Sequence, residues 1–370
     1  MGWQMYSYTH SAFKLGLLGL VSAIPAISMA LFSGLLVDWF SPFLIFRCVL
    51  LMGFTSVFLS WQAHGETGIF LAAAIAGLAR SFYGPAYNSL IPRIVTREQI
   101  KQTSAYQTMA FKGAAVIGPG VAGVLLGLQG MLLPYLLSIS ALVLGIIVMF
   151  IVQVPEGNTA RKKLSEQKIL HELLIGVKFV FSHELLLSAM SLDMFAVLFG
   201  GATALLPIFA AEILKVGPHG LGWLRAAPSA GAILMGFYLV RRPVGKRAGH
   251  LFLGAVFGFG LCMIVFGLSK NFWLSMLALA LSGAFDVVSM VVRRAILQLS
   301  SPENMRGRIA SVNSIFIGSS NEIGEFESGI AASMMGTVPS VVFGGCMTLL
   351  TVGIVFVKSK ALRTLDLGKL

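Results

Sequence analysis

Charge is what this chain has least of. Only 11% of its 370 residues are Asp, Glu, Lys or Arg, against roughly 25% in soluble domains. That leaves too little polar surface for water on all sides. Acids are the scarcer sign, 15 against 27 basic residues. Cysteine is nearly absent: Cys48, Cys262 and Cys346 fall within or beside apolar stretches, without metal-type spacing. They read as small packing residues, which excludes a disulfide framework. The six histidines are scattered, and no Ser-His-Asp, HExxH or phosphate-cradling Gly-Lys arrangement occurs. No enzymatic activity, cofactor or metal is therefore expected. Residues 1–14 lack the basic start and apolar run of a cleavable signal peptide.

Long apolar runs are what the chain has instead. It is 56% hydrophobic with a mean hydropathy of +0.86, and residues 15–37 and 131–155 carry no charge. About 20 such residues in a helix cross a bilayer, whereas barrel strands are about half that length and alternate in polarity. Eleven spans follow: 15–37, 43–63, 68–91, 105–128, 131–153, 185–211, 221–240, 250–268, 272–297, 309–335 and 340–357. The fold class is an all-α polytopic membrane bundle. Pro25, Pro85, Pro119, Pro134, Pro207 and Pro228 fall inside these spans and mark kinks packed against other helices.

The net charge of +12 concerns topology rather than a nucleic-acid partner. With the connection after Val37 placed inside, that side collects Arg47, Arg93, Arg97 and Lys101, the run Arg161-Lys162-Lys163, Arg241 to Arg247, Arg293 to Arg308 and Lys358 to Lys369. The other side holds Lys14, Lys215 and Lys270. This positive-inside asymmetry implies a multi-pass protein of a cytoplasmic (inner) membrane with a cytoplasmic C-terminus.

An internal repeat is present. Residues 15–18 (LGLL) match 221–224 (LGWL) at a shift of 206. Residues 98–101 (EQIK) match 303–306 (ENMR) at 205, a register continued by Ala105 with Ala310, Phe111 with Phe316, and Gly113 with Gly318. Two parallel half-bundles are expected, an arrangement found in secondary transporters: residues 1–153, then a linker 154–184 with an amphipathic helix over 165–182, then 185–357 and a tail 358–370. The shift puts most of the first half's first helix before Met1, so eleven full spans plus a remnant around Trp3 to Tyr6 are expected, from an N-terminally truncated frame.

Several stretches carry a resemblance. They are Met1-Gly2-Trp3-Gln4, Gly34 to Asp38, Ile117-Gly118-Pro119-Gly120, residues 217–222 (GPHGLG), Arg306-Gly307-Arg308, and above all residues 318–329, GSSNEIGEFESG. Across nearly its whole length the chain resembles the major facilitator superfamily, in its branch of enterobactin exporters and macrolide-efflux-like proteins. The resemblance implies a conformational latch at Gly34 and Asp38, although Trp39 and Pro42-Phe43 replace that loop's usual basic residues and only Arg47 remains. It also implies a close-packed antiporter-type hinge at Gly118, Pro119 and Gly120. Arg293, Arg306 and Arg308 near the cytoplasmic end read as gating anchors.

Charged groups inside spans are costly, roughly 3 kcal/mol each at mid-membrane, and normally face a cavity or a partner. The acids so placed are Asp193, Asp286, Glu322, Glu325 and Glu327; the bases are Arg80, Lys112 and Arg225. Glu322 and Glu325 lie about 60° apart on a helix and can share a face. With Asp193 and Asp286 they are the proton-coupling candidates. Arg80 suits either an anionic substrate or a carboxylate of the opposite half; with Asn88, Asn313 and Asn321 it makes the substrate-cavity set. The expected function is export of a small amphipathic solute, siderophore-like or drug-like, by alternating access coupled to protons, by a monomer in the lipid bilayer. The alternatives are a lysophospholipid transporter on the same scaffold and an inactive remnant.

Overall fold

The computed structural model describes all residues except 97, 153–174, 176, 243, 246, 303–304 and 367–370. Among the described residues it is helical throughout. A short α1 (Gly2–Thr9) leads into α2 (Ala12–Trp39), α3 (Pro42–Gln62), α4 (Glu66–Ile94), α5 (Ile100–Gln129) and α6 (Leu132–Ile151). The second half holds α7 (Glu184–Phe199), α8 (Gly217–Arg241), α9 (Ala248–Leu268), α10 (Phe272–Ser300), α11 (Arg306–Met335), α12 (Thr337–Lys358) and the short α13 (Lys360–Arg363). Lipid offers no hydrogen-bond partners, so each backbone closes on itself. The ends are set locally. Asn271 caps α10 by accepting from the amides of Trp273 (2.9 Å) and Leu274 (3.2 Å), and Pro42 occupies the first turn of α3.

The long helices follow the expected spans closely, with two differences. The expected span 185–211 is present as Glu184–Ile213 but is not regular throughout. Helix α7 stops at Phe199, and irregular turns run from Ala202 to Ile213. The irregular stretch opens after Gly200-Gly201 and contains Pro207, the expected kink. A side chain on Gly200 would meet the Phe259 ring, and one on Gly201 would meet the Gly324 carbonyl at 2.7 Å, so the chain bends where neighbours leave no room. Second, ten of the described helices are both long and apolar enough to cross a membrane. Helix α11, at 30 residues, has the length, but its three glutamates and two asparagines lower its hydropathy. The expected linker helix lies mostly outside the described residues; residues 177–182 are helical, with Val180 buried against Met190, Ile309 and Val312.

Packing repeats between the halves: α2 lies on α4 as α8 lies on α10, and α3 on α6 as α9 on α12. A side chain on Gly77 would strike the Ser22 carbonyl, and one on Gly283 would strike that of Pro228. Both residues of the first contact shift by 206 to give the second. The halves meet through α2 with α11 and α5 with α8. At the first crossing Gly16 faces Gly329; at the second, Gly222 faces Gly123. The same shift of 206 interconverts these contacts. Tyr6 donates to Glu212, and these two are themselves 206 apart, so the approximate twofold axis passes between them.

All four glycines lie toward the end opposite the basic residues. The apolar cluster that joins the halves is there too, built from Met5, Tyr6, Leu15, Ile69, Phe209, Leu221, Phe266 and Leu279. Toward the basic end of the same interface helices, Gly113, Gly236 and Gly318 would meet nothing within 4 Å, while Tyr106, Met109 and Phe237 are exposed. The halves are closed at one end and parted at the other.

Candidate functional site

Three helices bring charged groups to the interface between the halves. Arg80 of α4 pairs with Glu322 of α11, joining the two halves. The Ser22 hydroxyl of α2 donates to the second oxygen of Glu322 at 3.3 Å. Glu322 is 12% exposed, whereas Arg80 is 58% exposed and open to the parting between the halves. One helical turn on, Glu325 packs over Gly19 of α2. A side chain there would come within 2.7 Å of its Oε2 atom, so glycine is what admits the carboxylate. Glu325 interacts electrostatically with Glu322, Arg225 and Arg80.

Arg225 of α8 lies deep between the halves, yet its side chain is accessible, which places it on a cavity. That cavity, of about 350 Å³, is bounded by Trp3 and Gln4 of α1, Gly118 and Pro119 of α5, Tyr135 of α6 and Leu221 of α8. Gln4 is buried and fixed: its amide donates to the Ser60 carbonyl at 2.8 Å, and it accepts from the hydroxyls of Ser60 (3.1 Å) and Tyr135.

The remaining expected residues separate from this cluster. Asp193 of α7 and Arg293 of α10 form a buried ion pair, 6% and 7% exposed, within the second half; Ser289 donates to Asp193 at 3.4 Å. Asp286 lies half-buried on α10. Asn321 donates to the Ile317 carbonyl of its own helix at 2.8 Å. Asn313 is half-buried, nine residues before Glu322 and so on the opposite face of α11. Asn88 is exposed further along α4. The side chains of Gly34, Asp38, Arg306 and Arg308 lie outside the described residues. Arg47 has a packing role, donating to the Met149 carbonyl (2.9 and 3.2 Å) between the rings of Phe43 and Phe150.

Of the residues of the expected hinge Gly118, Pro119 and Gly120, Pro119 makes a close approach and the two glycines do not. Neither glycine has a neighbour within 4 Å of a side-chain position; the close approach is made by the Pro119 carbonyl and Gly123 against Gly222. These contacts keep the shift at 206 here, which aligns Glu325 with Pro119 rather than with Gly120. The identity of Gly16 with Gly222 lies within the repeat match of residues 15–18 with 221–224. Two further features were legible: Gly123 with Gly329 is an identity at the same shift, and Arg225 stands out as an intramembrane cation. Ser22 gave no signal.

The family model described as "Transmembrane secretion effector" matches residues 1–367. The multidrug efflux pump Tap of Mycolicibacterium fortuitum is 20% identical over 99% of this chain and 92% of its own. The enterobactin exporter EntS of Shigella flexneri is 26% identical over 77% of this chain and 67% of its own. Among solved structures, the nucleoside transporter NupG superposes with a TM-score of 0.76 at 12% identity, over 96% of this chain and 93% of its own. A bacterial homologue of the iron transporter ferroportin, in an inward-facing state, gives 0.72 at 14%, over 96% and 91%. At such identities the structures share the fold alone.

Proposed function

The chain belongs to the transmembrane secretion effector family of major facilitator transporters, and from that premise we propose that it exports a small amphipathic solute in exchange for protons. The observation that carries this reading is the Arg80–Glu322 pair, which bridges the halves beside a second carboxylate, Glu325, that interacts electrostatically with both Glu322 and Arg225. An ionised carboxylate in a membrane persists where a partner or water compensates it. Protonating Glu322 cancels its attraction to Arg80 and removes a link between the halves. Proton binding thereby shifts the balance between conformations, which is the physical requirement for coupling. The similarity to a multidrug efflux pump and an enterobactin exporter supports a siderophore-like or drug-like cargo.

On the positive-inside rule the basic end is cytoplasmic, so the parted end faces the cytoplasm and this conformation is inward-facing. Asp193, already satisfied by Arg293, serves stability in this reading rather than coupling. The test is accumulation of a fluorescent amphipathic drug into inverted vesicles under an imposed pH gradient. The Glu322→Gln, Glu325→Gln double variant should lose gradient-driven accumulation. Undiminished transport in that variant rejects the coupling site.

A further inference from the structure

We infer that the solute carries an anionic group and that Arg225 is its anchor, with the apolar body against Trp3, Pro119, Tyr135 and Leu221. This deepens the transport reading and rests on it. Arg80 and Arg225 both reach the space between the halves, and they differ in what holds them. Arg80 is bound to Glu322. Among the described residues, no carboxylate lies within 4 Å of the Arg225 guanidinium, although Glu325 is close enough to interact through space.

The repeat explains why a partner is missing. A shift of 206 carries Gly19 onto Arg225 and Pro119 onto Glu325. At one crossing, then, an acid faces a glycine; at its symmetry mate, a base shares a cavity wall with a proline. Symmetry places no carboxylate opposite Arg225. Deep placement makes an uncompensated cation costly, and an arriving anion relieves that cost. The guanidinium offers a planar fork of donors matched to a carboxylate or similar oxyanion.

Met1 also lines the cavity, with its amino group close enough to Arg225 to interact electrostatically; the remaining wall groups considered are satisfied or apolar. Gln4 and Tyr135 are committed to each other and to Ser60. Trp3, Pro119 and Leu221 present carbon surface. The cavity of about 350 Å³ is within the range that holds a small aromatic molecule, with Arg225 as the charged side chain that fixes its orientation.

Three probes that share one apolar body isolate the charge: 1-naphthoate, 1-naphthalenemethanol and 1-naphthylmethylammonium. Each is titrated calorimetrically into the purified full chain in detergent, with empty micelles as the blank. The carboxylate should bind the wild type at least tenfold more tightly than the alcohol, and the ammonium least. Arg225→Gln should bring the carboxylate-to-alcohol ratio near one; Arg225→Lys should keep part of the preference, and serves if the glutamine variant is not monodisperse. The inference is overturned if the alcohol or the ammonium binds as well as the carboxylate, if no probe binds the wild type, or if the preference survives in Arg225→Gln. It is equally overturned if Arg225→Lys binds no better than Arg225→Gln. Binding in detergent needs no gradient, so these results are independent of whether proton-driven export is found.

Discussion

Alanine at the two pseudo-equivalent glycine crossings should prise open the closed end. A side-chain carbon on Gly222 would lie 2.6 Å from the Pro119 carbonyl and 2.7 Å from the Gly123 Cα; on Gly16 it would lie 2.8 Å from the Gly329 Cα. Ordinary contact begins at 3.4 Å. Each alanine therefore demands a shift of about 0.6–0.8 Å, and the opposing atoms are backbone, with no rotamer to give way. Overpacking of this kind costs about 1–3 kcal/mol. Glycine to alanine also favours the helix by about 1 kcal/mol, but equally in both conformations, so that gain cancels. The net bias against the closed end is about 5- to 150-fold per site. The reporter is Ala332→Cys, a buried position in the cluster that joins the halves, with Cys48, Cys262 and Cys346 replaced by serine or alanine. A membrane-impermeant maleimide is applied from the side opposite the basic residues. The Gly16→Ala, Gly222→Ala protein should label at least tenfold faster than its parent, and a Gly113→Ala, Gly236→Ala control should label at the parental rate, since those positions open on empty space. Equal rates in test and parent, or an equal effect in the control, would refute the reasoning.

Three further outcomes can be checked directly. Asp193→Asn should destabilise the detergent-purified protein by about 3–5 kcal/mol, because it strands a buried Arg293, while Glu322→Gln should cost about 1 kcal/mol, since water already reaches Arg80; thermal unfolding showing the reverse order would contradict the pairing. Arg47→Met should cost about 1–2 kcal/mol by removing hydrogen bonds to a carbonyl and contacts with two rings, and Arg47→Lys, which lacks the planar fork, should recover only part; an Arg47→Met midpoint equal to the parent's counts against the clamp. Finally, on the cysteine-free background, His64→Cys should react with impermeant maleimide in intact cells and Ser41→Cys only after permeabilisation, and the opposite pattern would invert the topology.

How much of this was legible in the sequence depends on the kind of interaction. Spans were readable because the bilayer imposes one length and one polarity, so even the ends of α3, α9 and α10 fall close to those expected. The break at Gly200-Gly201 was not, because it is dictated by a ring and a carbonyl from distant helices. Proline, the local signal, marked the irregular stretch through Pro207 but not the point where it opens. The carboxylates of α11 stood out because charge inside a span is costly, but their partners could not be read. Helical geometry relates Glu322 to Glu325 within one helix and says nothing of which helix supplies Arg80. The glycine-proline-glycine run was legible as a whole, but not which of its residues makes the contact. Pro119 approaches Gly222, and the other close contacts are made by single glycines, Gly16 with Gly329 and Gly123 with Gly222, which the shift of 206 interconverts.

The repeat and the charged cluster constrain each other. Two halves related by a twofold axis would make equal contacts at both crossings, and the glycines do so. Polar residues break the equality: an acid at one crossing corresponds to a proline at the other, and a glycine to an arginine. Backbone approach therefore supplies a symmetric closure at one end of the molecule, while the charges supply an asymmetric, titratable link at its middle. The glycine contacts are insensitive to protons, since they contain no titratable group. Any bias that a proton exerts between conformations has to act through the charged side chains that depart from the repeat, and among the described residues placed between the halves these are Arg80, Arg225, Glu322 and Glu325.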